Sequence, residues 1–238
     1  RLGTSTAIVS SSEGIYYAVG APGIDAATTG GAIYLGLSSS SGITETIIQA
    51  SDAGPNAALG LSELAILSGS DSIYVLAPAP NSGSNYHGAA YLFVSNSSGI
   101  TETKLSSSSP SFYGFFGNSV AMVENPSGLH MLIGAPNIGS GDTGDAHLFL
   151  SNSSGIVENV ISTGAPNSDF GSSAAILLRY NPDSLEHEIH FAIGNPGYNH
   201  PAGRINTYKS SSAAGIVSTG EIDALTLFPS LNGQNPLF

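Results

Sequence analysis

One motif recurs along the chain at nearly constant spacing, and this constrains the fold more than any other feature. An apolar residue followed by glycine opens the segments "LGTSTA", "LGLSEL", "FGNSVA" and "FGSSAA". The glycines Gly3, Gly60, Gly117 and Gly171 stand 57, 57 and 54 residues apart. Each motif leads into a β-rich run that ends in Gly-Ala-Pro or a relative: "YYAVGAP", "YVLAPAP", "HMLIGAP" and "HFAIGNP". A loop follows, then "GAIYLGLS", "GAAYLFVS", "GDAHLFLS" and "GRINTYKS". A Ser-rich turn and a last run close each unit: "SSGITETII", "SSGITETKL", "SSGIVENVI" and "AAGIVSTGEI". Repeats of this period stack so that neighbours bury one another's apolar faces.

Each unit reads as four short strands bounded by Gly, Pro, Ser and Asn. No helical period is sustained. In "LHMLIG" apolar residues fill both alternation phases, as in a strand covered on both faces. The pattern predicts an all-β, propeller-like array of four four-stranded blades in a single repeat domain, with units at about 1–57, 58–114, 115–168 and 169–238. A β-sandwich does not require one motif to recur near every 57 residues.

The Phe-Gly and Gly-Ala-Pro pair, followed by "G-A-x-Y-L", resembles the FG-GAP repeat of integrin α-chain β-propellers and related extracellular proteins. The resemblance covers the whole chain in four copies. It implies an extracellular protein that works through contacts between repeats or through loop faces. The sequence departs from the family in two respects. Family propellers usually close with seven blades, against four units here. Their D-x-D-x-D-G calcium loops are also missing. The corresponding loops, "SSSEG", "SGSDS" and "ENPSG", carry one carboxylate each: Glu13, Asp71 and Glu124. Calcium takes six to eight oxygens, several from carboxylates, so neither calcium nor another cofactor is expected. The fourth loop, "RYNPDSLEHE", has Asp183, Glu186 and Glu188 around His187 and reads as a longer solvated hairpin.

Composition narrows the function. Charged residues make up 9% of the 238-residue chain, with five Lys and Arg and a formal net charge of −12. Such a chain repels phosphate backbones and anionic lipid, so nucleic acid is excluded as a partner. No apolar run of about 18 residues is present, so no helical membrane span is expected. The absence of cysteine excludes a disulfide framework, a thiolate metal site and a Cys nucleophile. "RLGTSTAIVSSSEG" does not read as a signal peptide. Arg1 stands just before a motif, and Phe238 falls where a fifth motif would begin. That register, together with the apolar tail "EIDALTLFPSLNGQNPLF", predicts a head-to-tail contact between copies.

The six histidines look mainly structural. His130 and His190 share a repeat column with Tyr16 and Tyr74, and His147 shares one with Tyr34 and Tyr91. A column of Tyr and His asks for a flat ring with a polar tip, which is a packing role. His87 in "NYHG" and His200 in "YNHPAG" follow the Gly-Ala-Pro segment and are candidate binding residues. Asp142, in the turn-like "NIGSGDTGD", is a third. No G-x-S-x-G elbow and no carboxylate pair appears, so no metal site, catalytic residue or enzyme is expected. Two acceptor sequons, at Asn96 and Asn152, occupy the same turn of successive units and are candidate glycosylation sites. The leading expectation is a non-enzymatic extracellular structural or adhesion protein, secreted or at the cell surface, whose partners are its own copies or extracellular proteins and glycans. The alternative is a ligand- or glycan-binding module of a larger receptor or secreted enzyme. In that case the loops at 23–30, 81–87, 137–143 and 197–202 would form the recognition face.

Overall fold

A computed structural model describes residues 2–23, 30–139, 141–163, 165–182, 185–198, 202–211 and 215–223. His200, Asp183 and the tail from residue 224 onward lie outside the described residues. The described residues contain no helix. They form four four-stranded antiparallel sheets, each a simple meander. The first comprises β1 (Thr6–Ser10), β2 (Ile15–Ala21), β3 (Ala32–Ser39) and β4 (Gly42–Ile48). The second comprises β5 (Ala65–Ser68), β6 (Ile73–Ala79), β7 (Ala89–Asn96) and β8 (Gly99–Leu105). The third comprises β9 (Ser119–Asn125), β10 (Gly128–Ala135), β11 (Asp145–Asn152) and β12 (Gly155–Ser162). The fourth comprises β13 (Ala174–Asn181), β14 (Glu186–Asn195), β15 (Arg204–Ser211) and β16 (Gly215–Asp223).

Three buried clusters join consecutive sheets. Leu35 and Ile33 of the first sheet meet Val75, Tyr91 and Phe93 of the second. Leu76 and Leu92, on the opposite face of the second sheet, meet Met131, Ile133 and Phe149 of the third. Leu132 and Leu148, on the third sheet's other face, meet Ile189, Phe191 and Ile193 of the fourth. Thus Val75 and Leu76, adjacent on β6, enter different cores. That is why the central runs are apolar in both alternation phases. Among the described residues no cluster joins the fourth sheet to the first. The first strands lie side by side, β1 against β5, β5 against β9 and β9 against β13.

The fourth hairpin is shorter than its sequence suggests. Glu186 and Glu188 belong to β14, and Arg179 pairs with Glu188 across the ladder. The Glu188 carboxylate accepts a hydrogen bond from Asn181 (3.2 Å) and lies near His190 and Lys209. The second unit also departs from the others. At Gly20 and Gly194 the backbone N–H donates to the Ser5 and Ser173 carbonyls, one residue before the first strand of each unit. Pro78 stands at the corresponding place on β6 and has no N–H to give. Its first strand, β5, is correspondingly short at four residues, against seven for β9.

Candidate binding surfaces at the joints between sheets

The repeated motifs meet where one unit hands over to the next. Within every unit the motif glycine donates its N–H to the carbonyl at the Gly-Ala-Pro segment. The pairs are Gly3 to Gly20 (3.0 Å), Gly60 to Pro78 (2.7 Å), Gly117 to Gly134 (3.0 Å) and Gly171 to Gly194 (3.0 Å). Between units, the motif's apolar residue donates its N–H to the preceding unit's second loop. Leu59 reaches the Gly30 carbonyl (2.8 Å), Phe116 reaches His87 (3.0 Å) and Phe170 reaches Thr143 (3.4 Å). At the first and third joints a serine adds a further bond, Ser5 Oγ to the Gly60 carbonyl (2.7 Å) and Ser119 Oγ to that of Gly171 (2.9 Å). Two backbones pass so closely that a side chain at Gly88 would overlap the Phe116 backbone, and one at Gly144 that of Phe170. Both glycines also hold positive φ, +85° and +71°, a conformation that costs an L-residue steric strain.

These bonds bury the motif's apolar side chain. Leu59, Phe116 and Phe170 are fully buried, each gaining roughly 2–3 kcal/mol of hydrophobic burial. Phe116 meets the rings of His147 (5.0 Å) and Phe149 (6.0 Å) edge-on. Leu2, the first unit's counterpart, remains 62% exposed. The face of the first sheet turned away from the second shows Ile8, Ile43 and Ile47, and the face of the fourth turned away from the third shows Leu177, Ile205 and Ile222, all exposed.

The aromatic column behaves as a packing element at its central positions. Tyr91 is buried, stacks on Phe93 and donates its hydroxyl to Asp52 (2.8 Å). Burial and that acceptor raise its pKa. His147 is buried, stacks on Phe149 and donates from Nδ1 to Glu158 (2.7 Å). Burial depresses its pKa despite the Glu158 carboxylate, and its Nε2 has no partner. His130 is also buried, and loss of hydration pushes its pKa down to about 4. Lys104 adds an ion pair to Asp52 (2.6 Å), which is largely solvent-exposed.

The structure disperses the other candidates. Asn96 and Asn152 stand exposed at the β7–β8 and β11–β12 turns. Each Oδ1 accepts the N–H of the serine two residues on, at 2.9 Å. Asn125 makes the same bond to Ser127 (2.9 Å), so this turn chemistry explains an Asn here without any sugar. His87 and Asp142 lie in loops fastened by the next unit's motif. His87 packs edge-on against Phe112 (5.9 Å). Asp142 holds φ +51° and its carbonyl accepts the Ser168 N–H (3.1 Å).

A group that the sequence reading passes over lies beside His87. Tyr86 and Tyr113 stack at 5.4 Å with planes 13° apart, and Phe115 lies against both at 6.1 and 6.3 Å. Tyr113 and Phe112 are 57% and 69% exposed. The signal was present as four aromatics within Phe112–Phe116, in a chain with ten Tyr and nine Phe. It merges with the repeat motif at Phe116. No known protein-family model matches the chain. No curated protein is similar enough to it to count as a relative.

Proposed function

We propose that the chain is a non-enzymatic extracellular structural or adhesion protein built of FG-GAP-like repeats. In this reading the four sheets are blades of a propeller-like array. The chain is glycosylated at Asn96 and Asn152 and assembles through repeat-to-repeat contacts, head to tail. The observation that carries the reading is the use of the motifs. Both halves of the repeated signature serve as contacts within or between units, at three successive joints. The apolar outer faces of the first and fourth sheets and the exposed Leu2 offer the halves of a further joint. The buried rings His147 and Tyr91, each bonded to one carboxylate, Glu158 and Asp52, support packing rather than chemistry.

Light scattering and electron microscopy of the native chain test the assembly. Particles that grow with concentration into rows of linked units are expected; a monomer at every concentration would defeat the assembly reading. Intact mass before and after glycosidase tests the sugars, with unmodified Asn96 and Asn152 peptides from native material counting against them. The alternative, a ligand- or glycan-binding module of a larger receptor or secreted enzyme, is favoured by one specific observation, the exposed aromatic group at the second joint.

A further inference from the structure

We propose that Tyr86, Phe112, Tyr113 and Phe115 form a platform that binds a neutral carbohydrate. The inference rests on the extracellular adhesion reading only in placing the chain among glycans. Its first support is the cost of the arrangement. Tyr86, Tyr113 and Phe115 hold left-handed backbone, with φ of 53°, 55° and 50°. That conformation costs a bulky L-residue about 1–2 kcal/mol. The backbone itself is architectural, because Asp142, Asn167 and Asp169 hold it at the corresponding places of the next joint, at 51°, 51° and 52°. The choice of aromatic side chains there is not architectural. Asn and Asp tolerate this backbone, so the turn itself does not require rings.

The second support is preorganisation. The loop preceding Phe116 is laced to the loop preceding Gly88 by Tyr113 N–H to the Asn85 carbonyl (2.9 Å), Phe115 to Tyr86 (3.1 Å) and Phe116 to His87 (3.0 Å). Rings held by a laced backbone lose little freedom on binding. The third is chemistry. Between Pro80 and Gly88, and between Ser109 and Phe116, no Asp, Glu, Lys or Arg occurs. Ser84, Asn85 and Ser109 stand close to the rings in sequence, and His87 packs edge-on against Phe112 (5.9 Å). An aromatic face carries negative charge density and attracts the weakly positive C–H face of a sugar ring. The hydroxyls and amides around it match the sugar's hydroxyl edge. A ligand with an apolar face, a hydroxyl edge and no charge is a neutral glycan.

The test is affinity electrophoresis of the full chain through gels containing a soluble β-glucan or a galactomannan, with polygalacturonate as the charged control. Retardation by a neutral polymer is expected. Tyr113→Ala and Phe112→Ala should weaken it about tenfold each, while Tyr113→Phe, which keeps the ring, should retain it. Circular dichroism checks that each variant is folded. Tyrosine fluorescence of the unaltered chain, which has no Trp, should shift on titration with the same polymer and provides a readout independent of any variant. No retardation by either neutral polymer, retardation by polygalacturonate alone, or unchanged binding in the folded alanine variants would each overturn the proposal. So would a Tyr113-dependent complex with a protein in place of glycan. The light-scattering test of assembly stands or falls separately.

Discussion

At the joint between the second and third sheets, three left-handed loop positions carry Tyr86, Tyr113 and Phe115. At the next joint the same positions carry Asp142, Asn167 and Asp169. The φ angles agree within 4°, and the lacing bonds recur, with Asn167 N–H on the Gly141 carbonyl (2.7 Å) and Phe170 on Thr143 (3.4 Å). The comparison separates two layers of the repeat. The motif residues and the glycines they press on are set by the contact between sheets. The loop side chains are free to differ, and at one joint they form an aromatic surface. Recognition built on such a scaffold varies without disturbing the fold.

The largest expected effect tests whether the two joints share a frame. Gly88→Val and Gly144→Val each put a β-branched side chain on a positive-φ backbone and into the neighbouring unit's motif. Each should destabilise by about 4 kcal/mol or more, and the two by similar amounts. Urea midpoints measure this. A tolerated substitution at either glycine would mean that the joints are not equivalent.

The next effect contrasts Tyr91 of the second sheet with His147 of the third. Burial holds the His147 pKa below its ordinary value, and His130 sits at about 4. The unfolded chain therefore binds protons near pH 6.5 that the folded one refuses. Stability is complete above that pH and is lost as pH falls through it towards the folded values. The Tm should fall by roughly 5–8 °C between pH 7.5 and 5. His147→Tyr, which copies Tyr91 and can still donate to Glu158, should remove part of that slope; His130→Tyr should remove more. A flat profile in the unaltered chain would show that these imidazoles are not dry.

The four-unit all-β organisation was legible in the sequence because the motif recurs at a fixed step and the runs are apolar in both phases. Paired cores on either side of β6 and β10 are the physical reason for that pattern. The packing role of the Tyr and His column was legible too at Tyr91 and His147, where two residue types alternate in one place. The aromatic platform was not. Alignment on Phe116 absorbs Phe112–Phe115 into the motif, and nothing in the letters shows that the first and third residues before the motif turn left-handed. That fact appears only where Asn56 and Ala58, Tyr113 and Phe115, and Asn167 and Asp169 are seen to share it. Pro78 lies within the run "YVLAPAP" that the repeat reads as a strand, although a proline there removes a ladder donor. Here the lost donor is accommodated by a first strand that begins late, at Ala65.

The smallest effect exchanges the loop residues themselves. Tyr113→Asn relieves left-handed strain but loses the rings of Tyr86 and Phe115, contacts worth about 0.5–1.5 kcal/mol. The two changes oppose each other, and the net shift should lie within about 0.5 kcal/mol of zero. Asn167→Tyr takes on the strain at φ 51° with Asp142 and Asp169, not rings, at the neighbouring positions. It should cost about 1 kcal/mol. Adding Asp142→Tyr supplies the missing partner, and the pair should recover about 0.5–1 kcal/mol as coupling in a double-mutant cycle. Urea denaturation of the four proteins of that cycle, and of Tyr113→Asn, measures each term. If Asn167→Tyr costs no more than Tyr113→Asn, the left-handed backbone does not penalise the rings. The aromatic joint would then carry no strain for binding to justify.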